Sequence, residues 1–121
     1  MNPLTLLLLL FVGSGLLLIG ISIPLIQRRI KPNYWYGFRT RRTLSDPAVW
    51  YEVNVYAGKR LLICGVITTV AAIGLYFIPG LTVDGYALGV AIFALVPLLI
   101  TVAQSFRYLN QLSAWAKNTP E

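Results

Sequence analysis

The chain has 121 residues, 57% of them hydrophobic and 12% charged, with a net charge of +6, a mean hydropathy of +0.71, one cysteine and no histidine. Soluble domains carry about 25% charged residues, so a chain this apolar cannot cover its core with polar surface and needs lipid to do it. The lack of histidine excludes His-based triads and His-ligated metals, and the lone Cys64, set in an apolar run, excludes an intramolecular disulfide and reads as packing. No pair of acids or cysteines has a metal-ligand spacing, so no metal, cofactor or catalytic residue is expected.

The first apolar run, Pro3 to Ile26, contains no charged residue. At about 1.5 Å per residue it is long enough to cross a hydrocarbon core of about 30 Å. Asn2 followed by Pro3 reads as an N-cap and first helical residue. Pro24 is expected to kink or end the last turn, because it cannot donate to the carbonyl of Gly20. The run has no basic segment before it and no small-x-small cleavage site after it. It ends in Gln27-Arg28-Arg29, so it is expected to stay in the membrane and not be removed as a signal peptide.

A polar, basic stretch over residues 27–46 follows, and then Ser45-Asp46-Pro47 marks a helix start. Trp50, Val53, Ala57 and Leu61 repeat at helical spacing. A helix over 47–60 is therefore expected to run along the interface into a second span over 61–79, with Lys59 and Arg60 reaching back to the headgroups. Pro79-Gly80 is a turn signal, and Gly80 to Gly85 a tight connection. The third span is expected over 86–106, with a kink at Pro97 and Arg107 closing it. In the tail, residues 107–121, Tyr108, Leu112 and Trp115 share a face suited to a short C-terminal interfacial helix, and Asn118 to Glu121 look frayed. The predicted fold class is thus an all-α membrane protein of three transmembrane helices, forming a single domain over residues 1–121.

Eight of the ten Lys and Arg lie between Arg28 and Arg60, and none lies in Gly80–Gly85. The positive-inside rule then places the N-terminus outside, the 27–60 segment and the C-terminus in the cytoplasm, and the protein in the plasma or inner membrane as a multi-pass chain. A basic block wedged between apolar runs points to lipid headgroups and away from nucleic acid. No acid, Lys or Arg falls inside a span, which argues against an enzyme or an ion-coupled transporter. Small residues that permit close helix contact occur at Gly65, Thr68 and Ala72, at Gly85 and Gly89, and at Ala87 and Ala91; they are equally the residues common in any membrane helix.

Aromatic and basic side chains alternate in the loop: Tyr34, Trp35, Tyr36 and Phe38, then Arg39, Arg41 and Arg42. Such a stretch can anchor at headgroup level while its guanidinium groups grip phosphate or an acidic partner. It can equally do nothing more than set topology.

The ordered set Pro32-Asn33, Tyr36-Gly37-Phe38-Arg39-Thr40, Thr43-Leu44-Ser45-Asp46, Trp50, Asn54 and Gly58-Lys59 resembles the signature of the SdpI family of bacterial membrane proteins. The resemblance covers the whole chain by layout and the 32–59 region by motif. It implies a non-enzymatic protein whose family namesake confers immunity to a secreted peptide toxin and holds a transcriptional repressor at the membrane. The namesake has an additional N-terminal membrane region not seen here, and many relatives carry His where this chain has Asn54.

Site residues implied by the resemblance are Asn33, Arg39, Thr40, Trp50, Asn54 and Lys59, with Arg41 and Arg42 added by the basic loop. Arg39 would bind an anion or cap a helix, Trp50 would anchor its helix at the interface, and Asn33 and Asn54 would bridge loop to helix. The same residues could instead only fold the loop back under the bundle. Expected partners are anionic lipid headgroups, a peptide toxin or a repressor protein, with no nucleic acid and with a homo-oligomer left open. The alternative role is a structural or lipid-binding subunit of a larger membrane complex.

Overall fold

The computed structural model describes the backbone of residues 2–118 and the side chains of residues 2–112. It contains four helices: α1 (Pro3–Ile26), α2 (Arg41–Ser45), α3 (Pro47–Tyr76) and α4 (Val83–Asn118). Three of them, α1, α3 and α4 as far as Leu112, are long and apolar enough to cross a membrane.

Local chemistry sets the ends. The Asn2 side-chain Oδ1 accepts the Leu4 N–H at 2.9 Å, and Pro3, which has no N–H to satisfy, opens α1. The helix runs two residues past Pro24 and ends at Ile26, where Arg28 adopts a left-handed φ of 59°. Asp46 caps α3 by accepting the Ala48 N–H at 3.0 Å. At its far end α3 stops at Tyr76, short of the expected 79. Pro79 disfavours a helical conformation in the residue before it, and Gly80 turns the chain at φ 77°. The next helix starts at Val83, earlier than the expected 86, because the Thr82 hydroxyl accepts the Gly85 N–H at 3.0 Å. It continues through Pro97 and past Arg107 to Asn118, so the C-terminal helix is a direct extension of the third span. Trp115 and the end of the tail over 119–121 lie outside the residues whose side chains are described.

The central helix is α3, which packs along both α1 and α4, while α1 and α4 touch little. The α1–α3 contact is set by glycine. A Cβ on Gly65 would fall 2.7 Å from the Gly15 carbonyl, and one on Gly58 would fall 3.2 Å from the Ser22 carbonyl. Gly15 and Ser22 are one heptad apart, as are Gly58 and Gly65, so the two antiparallel helices meet closely once every two turns. The expected small face of α3 is here: Gly65, Thr68 and Ala72 are all buried. By contrast, a Cβ on Gly89 would meet only the tip of Leu75.

At the end of the bundle near the two helix N-termini, Ala72, Tyr86 and Val90 form a core against Leu4, Leu7, Leu8 and Phe11. Phe11 and Tyr86 pack edge to face with centroids 6.1 Å apart. Large apolar side chains such as Leu9, Leu17, Val70, Leu88 and Leu99 point outward, as a lipid-facing surface requires.

Candidate functional site

The loop between α1 and α3 folds back against the bundle, and its motif residues make the bonds that hold it there. Asn33 Oδ1 accepts the N–H groups of Trp35 and Tyr36 at 2.8 and 2.7 Å, and its amide donates to the Lys31 carbonyl at 2.7 Å. This is an Asx-type turn: a short polar side chain satisfies the backbone where no ladder exists. Asn33 thus ties the loop to itself, whereas Asn54 bonds the loop to α3. The buried Asn54 accepts the Phe38 N–H at 2.5 Å and donates to the Trp50 and Phe38 carbonyls at 3.0 and 3.3 Å.

Trp50 corrects an expectation. It was expected to anchor at the interface, but it is 0% exposed, with its indole N–H donating to the Ile30 carbonyl at 2.8 Å. An indole has one donor and a large apolar body, and the folded-back loop supplies both an acceptor and a cover. The exposed aromatics of the loop are instead Tyr34 at 77% and Trp35 at 90%.

Gly37 makes the fold-back possible. Its φ is +105°, and a Cβ there would lie 2.7 Å from Asn54 Oδ1 and 3.3 Å from the Trp50 ring. On either side of it, the Tyr36 hydroxyl donates to the Ile21 carbonyl of α1, and Phe38 packs edge to face on Phe106 of α4 at 5.0 Å. Burial pushes the Tyr36 pKa above its ordinary 10.0, so the hydroxyl keeps the proton it donates.

The basic side chains lie outside this scaffold. Arg39 is exposed and donates to the Tyr34 carbonyl. Thr40 caps α2 by accepting the Thr43 N–H at 3.2 Å, and Thr43 returns the bond by accepting the Thr40 N–H at 2.7 Å. This reciprocal box buries Thr43 and leaves Arg41 and Arg42 exposed. Lys59 is exposed one turn past Asn54. Among the described residues the ion pair is Arg28 with Glu52, at 2.7 Å, and it links the end of α1 to the first turns of α3. No group of His, Cys, Asp or Glu among the described residues is placed to hold a metal.

Sequence reasoning missed three features here: the short helix α2, the contact of Tyr36 with α1, and a cavity beneath the loop. The Thr40-x-x-Thr43 spacing was a readable signal for the first, but Thr at the third position is a weak form of the capping box. The cavity, of about 220 Å³, is lined by Ile21 and Leu25 of α1, Ala57 and Leu61 of α3, and Leu98, Thr101, Val102 and Ser105 of α4, with Tyr36, Gly37 and Phe38 over it.

The model of the SdpI/YfhL protein family matches residues 29–105, which takes in the loop, α3 and most of α4. Protein YfhL of Bacillus subtilis (strain 168) is 40% identical over 65 residues, or 53% of this chain and 56% of YfhL. Immunity protein SdpI of the same organism is 32% identical over 102 residues, or 84% of this chain and 44% of SdpI. The chain therefore spans about half the length of the curated relatives it matches. No solved structure matches it.

Proposed function

The chain belongs to the SdpI/YfhL protein family and is an SdpI-like multi-pass membrane protein, and from that premise we propose that it acts without catalysis, in immunity to a membrane-active peptide toxin or in signalling its presence. The observation that carries the reading is a division of labour in the motif loop. Asn33, Thr40, Thr43, Trp50 and Asn54 spend their polar groups on holding the loop in place, while Arg41 and Arg42 project from it, with Arg39, which also donates to the Tyr34 carbonyl, and Lys59 of α3 exposed as further basic side chains. A rigid scaffold that presents cations loses little entropy on meeting an anionic partner, be it a peptide segment or a repressor protein. The 32% identity to a protein named for immunity supports the same assignment.

The test is survival. Cells expressing the chain and challenged with a panel of membrane-active peptides should outlive cells without it. Joint replacement Arg39→Ala, Arg41→Ala and Arg42→Ala should remove the protection while leaving the protein in the membrane. Equal survival with and without the chain across the panel defeats the reading.

A second reading, an anionic-lipid-binding subunit, is favoured by the exposure of Tyr34 and Trp35 beside Lys31 and Arg39. It predicts that acidic phospholipid co-purifies with the chain and is lost with the same arginines.

Both readings place the loop in the cytoplasm, as the basic residues favour. Cysteine introduced at the exposed Ser45 should react with an impermeant maleimide only after the cells are opened, and cysteine at the exposed Thr82 should react in intact cells. The reverse pattern would invert the topology.

A further inference from the structure

We propose that the cavity under the motif loop is a seat for one aliphatic chain of the surrounding leaflet, whose carbonyl end is held by the Ser105 hydroxyl. The inference concerns a site separate from the exposed basic surface and does not depend on the immunity reading.

The shape comes first. With α3 as its floor and the loop as its roof, the cavity has α1 and α4 as walls, and these two helices touch little. They are held together at the opposite end of the bundle, where Phe11 meets Tyr86. The side left open is thus the gap between α1 and α4, and in a membrane that gap faces lipid. The volume of about 220 Å³ exceeds the roughly 150 Å³ of an apolar cavity known to admit benzene, so a segment of hydrocarbon chain fits. The lining is mainly Ile, Leu, Val, Ala and Phe.

The chemistry comes second. Buried hydroxyls elsewhere in the bundle have partners. Ser22 donates to the Ile19 carbonyl at 2.7 Å, Thr68 to the Cys64 carbonyl at 2.9 Å, and Thr101 lies 3.2 Å from the Cys64 sulfur. Ser105 is 1% exposed and is one of the residues lining the cavity, and its buried Oγ has no partner among the described residues. An unpaired hydroxyl in an apolar site is costly and calls for an acceptor. The other hydroxyls of the lining, Tyr36 and Thr101, are already engaged by the Ile21 carbonyl and the Cys64 sulfur, so a water beside Ser105 would be short of the two to four polar partners a buried water needs.

Depth selects among acceptors. Ser105 lies two residues before Arg107, at the level where a helix leaves the hydrocarbon, while Leu98 lies about 10 Å deeper at the rise of an α-helix. An acyl chain running from Ser105 towards Leu98 would put its ester or carboxyl oxygen beside the hydroxyl and its methylenes along the apolar wall. The roof is the motif segment Tyr36-Gly37-Phe38, so an occupant would brace the loop from beneath.

Phospholipid and free fatty acid share this chemistry, and photolabelling in bilayers separates them. The full-length chain is reconstituted with a phospholipid carrying a diazirine in its acyl chain or, in a parallel arm, with a diazirine fatty acid, and adducts are mapped by mass spectrometry. Leu25, at 5% exposure, lines this cavity and reports its occupant, whereas Leu99 at 67% reports bulk lipid.

The expected result is adducts on Leu25 from at least one reagent, and the arm that labels names the source. Filling the cavity with Ala57→Leu should abolish those adducts, and Ser105→Ala should reduce them about fivefold, the worth of one neutral hydrogen bond. Leu99 labelling should stay unchanged in both variants, which shows that the bundle is intact. Wild-type protein with Leu25 unlabelled in both arms overturns the proposal, as does Leu25 labelling undiminished by both variants.

Discussion

Asn54 and Phe38 are joined in both directions: the Asn54 side-chain oxygen accepts the Phe38 N–H at 2.5 Å, and its amide donates to the Phe38 carbonyl at 3.3 Å. One buried amide side chain thereby does for the loop what a neighbouring strand would do, satisfying donor and acceptor of the same residue. The third bond of Asn54, to the Trp50 carbonyl one helical turn earlier, fixes the amide in the orientation that makes this pairing.

Replacing Asn54 with Ala leaves both groups of the half-buried Phe38 without their partner. The expected loss of stability is about 1–3 kcal/mol, the cost of stranding buried polar groups. Chemical or thermal unfolding of the detergent-solubilised protein measures it, and an unchanged midpoint would show that the pairing contributes nothing.

Gly37→Ala attacks the same junction from the loop side. The left-handed φ of +105° disfavours any Cβ, and that Cβ would meet the Asn54 oxygen at 2.7 Å. Strain of this kind costs on the order of 1–3 kcal/mol, and undocking the loop relieves it. Trypsin should then cut after Arg39, Arg41 and Arg42 markedly faster than in the wild type, with the spans still protected by lipid. Equal cleavage rates would show that the loop tolerates the side chain where it stands.

Two glycines of α3 should respond in opposite ways. Gly65→Ala places a methyl 2.7 Å from the Gly15 carbonyl, a backbone atom that cannot swing aside, and overpacking of this kind costs about 1–3 kcal/mol. Gly74→Ala meets nothing within 4 Å and should be neutral or gain up to about 1 kcal/mol from helix propensity. Circular dichroism melts of the two variants compare them directly. A Gly65→Ala protein as stable as Gly74→Ala would mean that α1 and α3 do not approach at this point.

Tyr36 gives the loop an alkaline limit. Its folded pKa is raised above 10.0 by burial, so the neutral, donating form is favoured by folding. The stability it contributes is complete below pH 10 and is lost as pH rises through the folded value. Loop docking, followed by trypsin susceptibility or by Trp50 fluorescence, should therefore hold through neutral pH and weaken above pH 10. Tyr36→Phe, which lacks the titrating group, should show a docking that is weaker at neutral pH and flat across the same range.

Much of this architecture can be read without coordinates, because its causes are local. A run without charge from Pro3 to Ile26 has nowhere to go but lipid. Asn2-Pro3 and Asp46-Pro47 cap their helices with atoms two residues from the groups they satisfy. Where sequence reading went astray, distant groups decided. Trp50 looked like an interface anchor because an indole beside basic residues so often is one; it is buried because the Ile30 carbonyl, 20 residues away, comes back over it. Asn33 and Asn54 looked alike, yet one bonds only within the loop and the other crosses to it from α3.

Composition and hydropathy alone determined that the protein lives in a membrane as three apolar helices, since the cost of placing charge in hydrocarbon or apolar surface in water depends on residue type and not on partners. Only the tertiary structure decided that Gly15 meets Gly65, that Tyr36 reaches α1, and that α1 and α4 part over a cavity lined by Ser105, whose hydroxyl has no partner among the described residues. Those features arise from how side chains of separate helices interlock, and packing of that kind depends on distances that no run of letters contains.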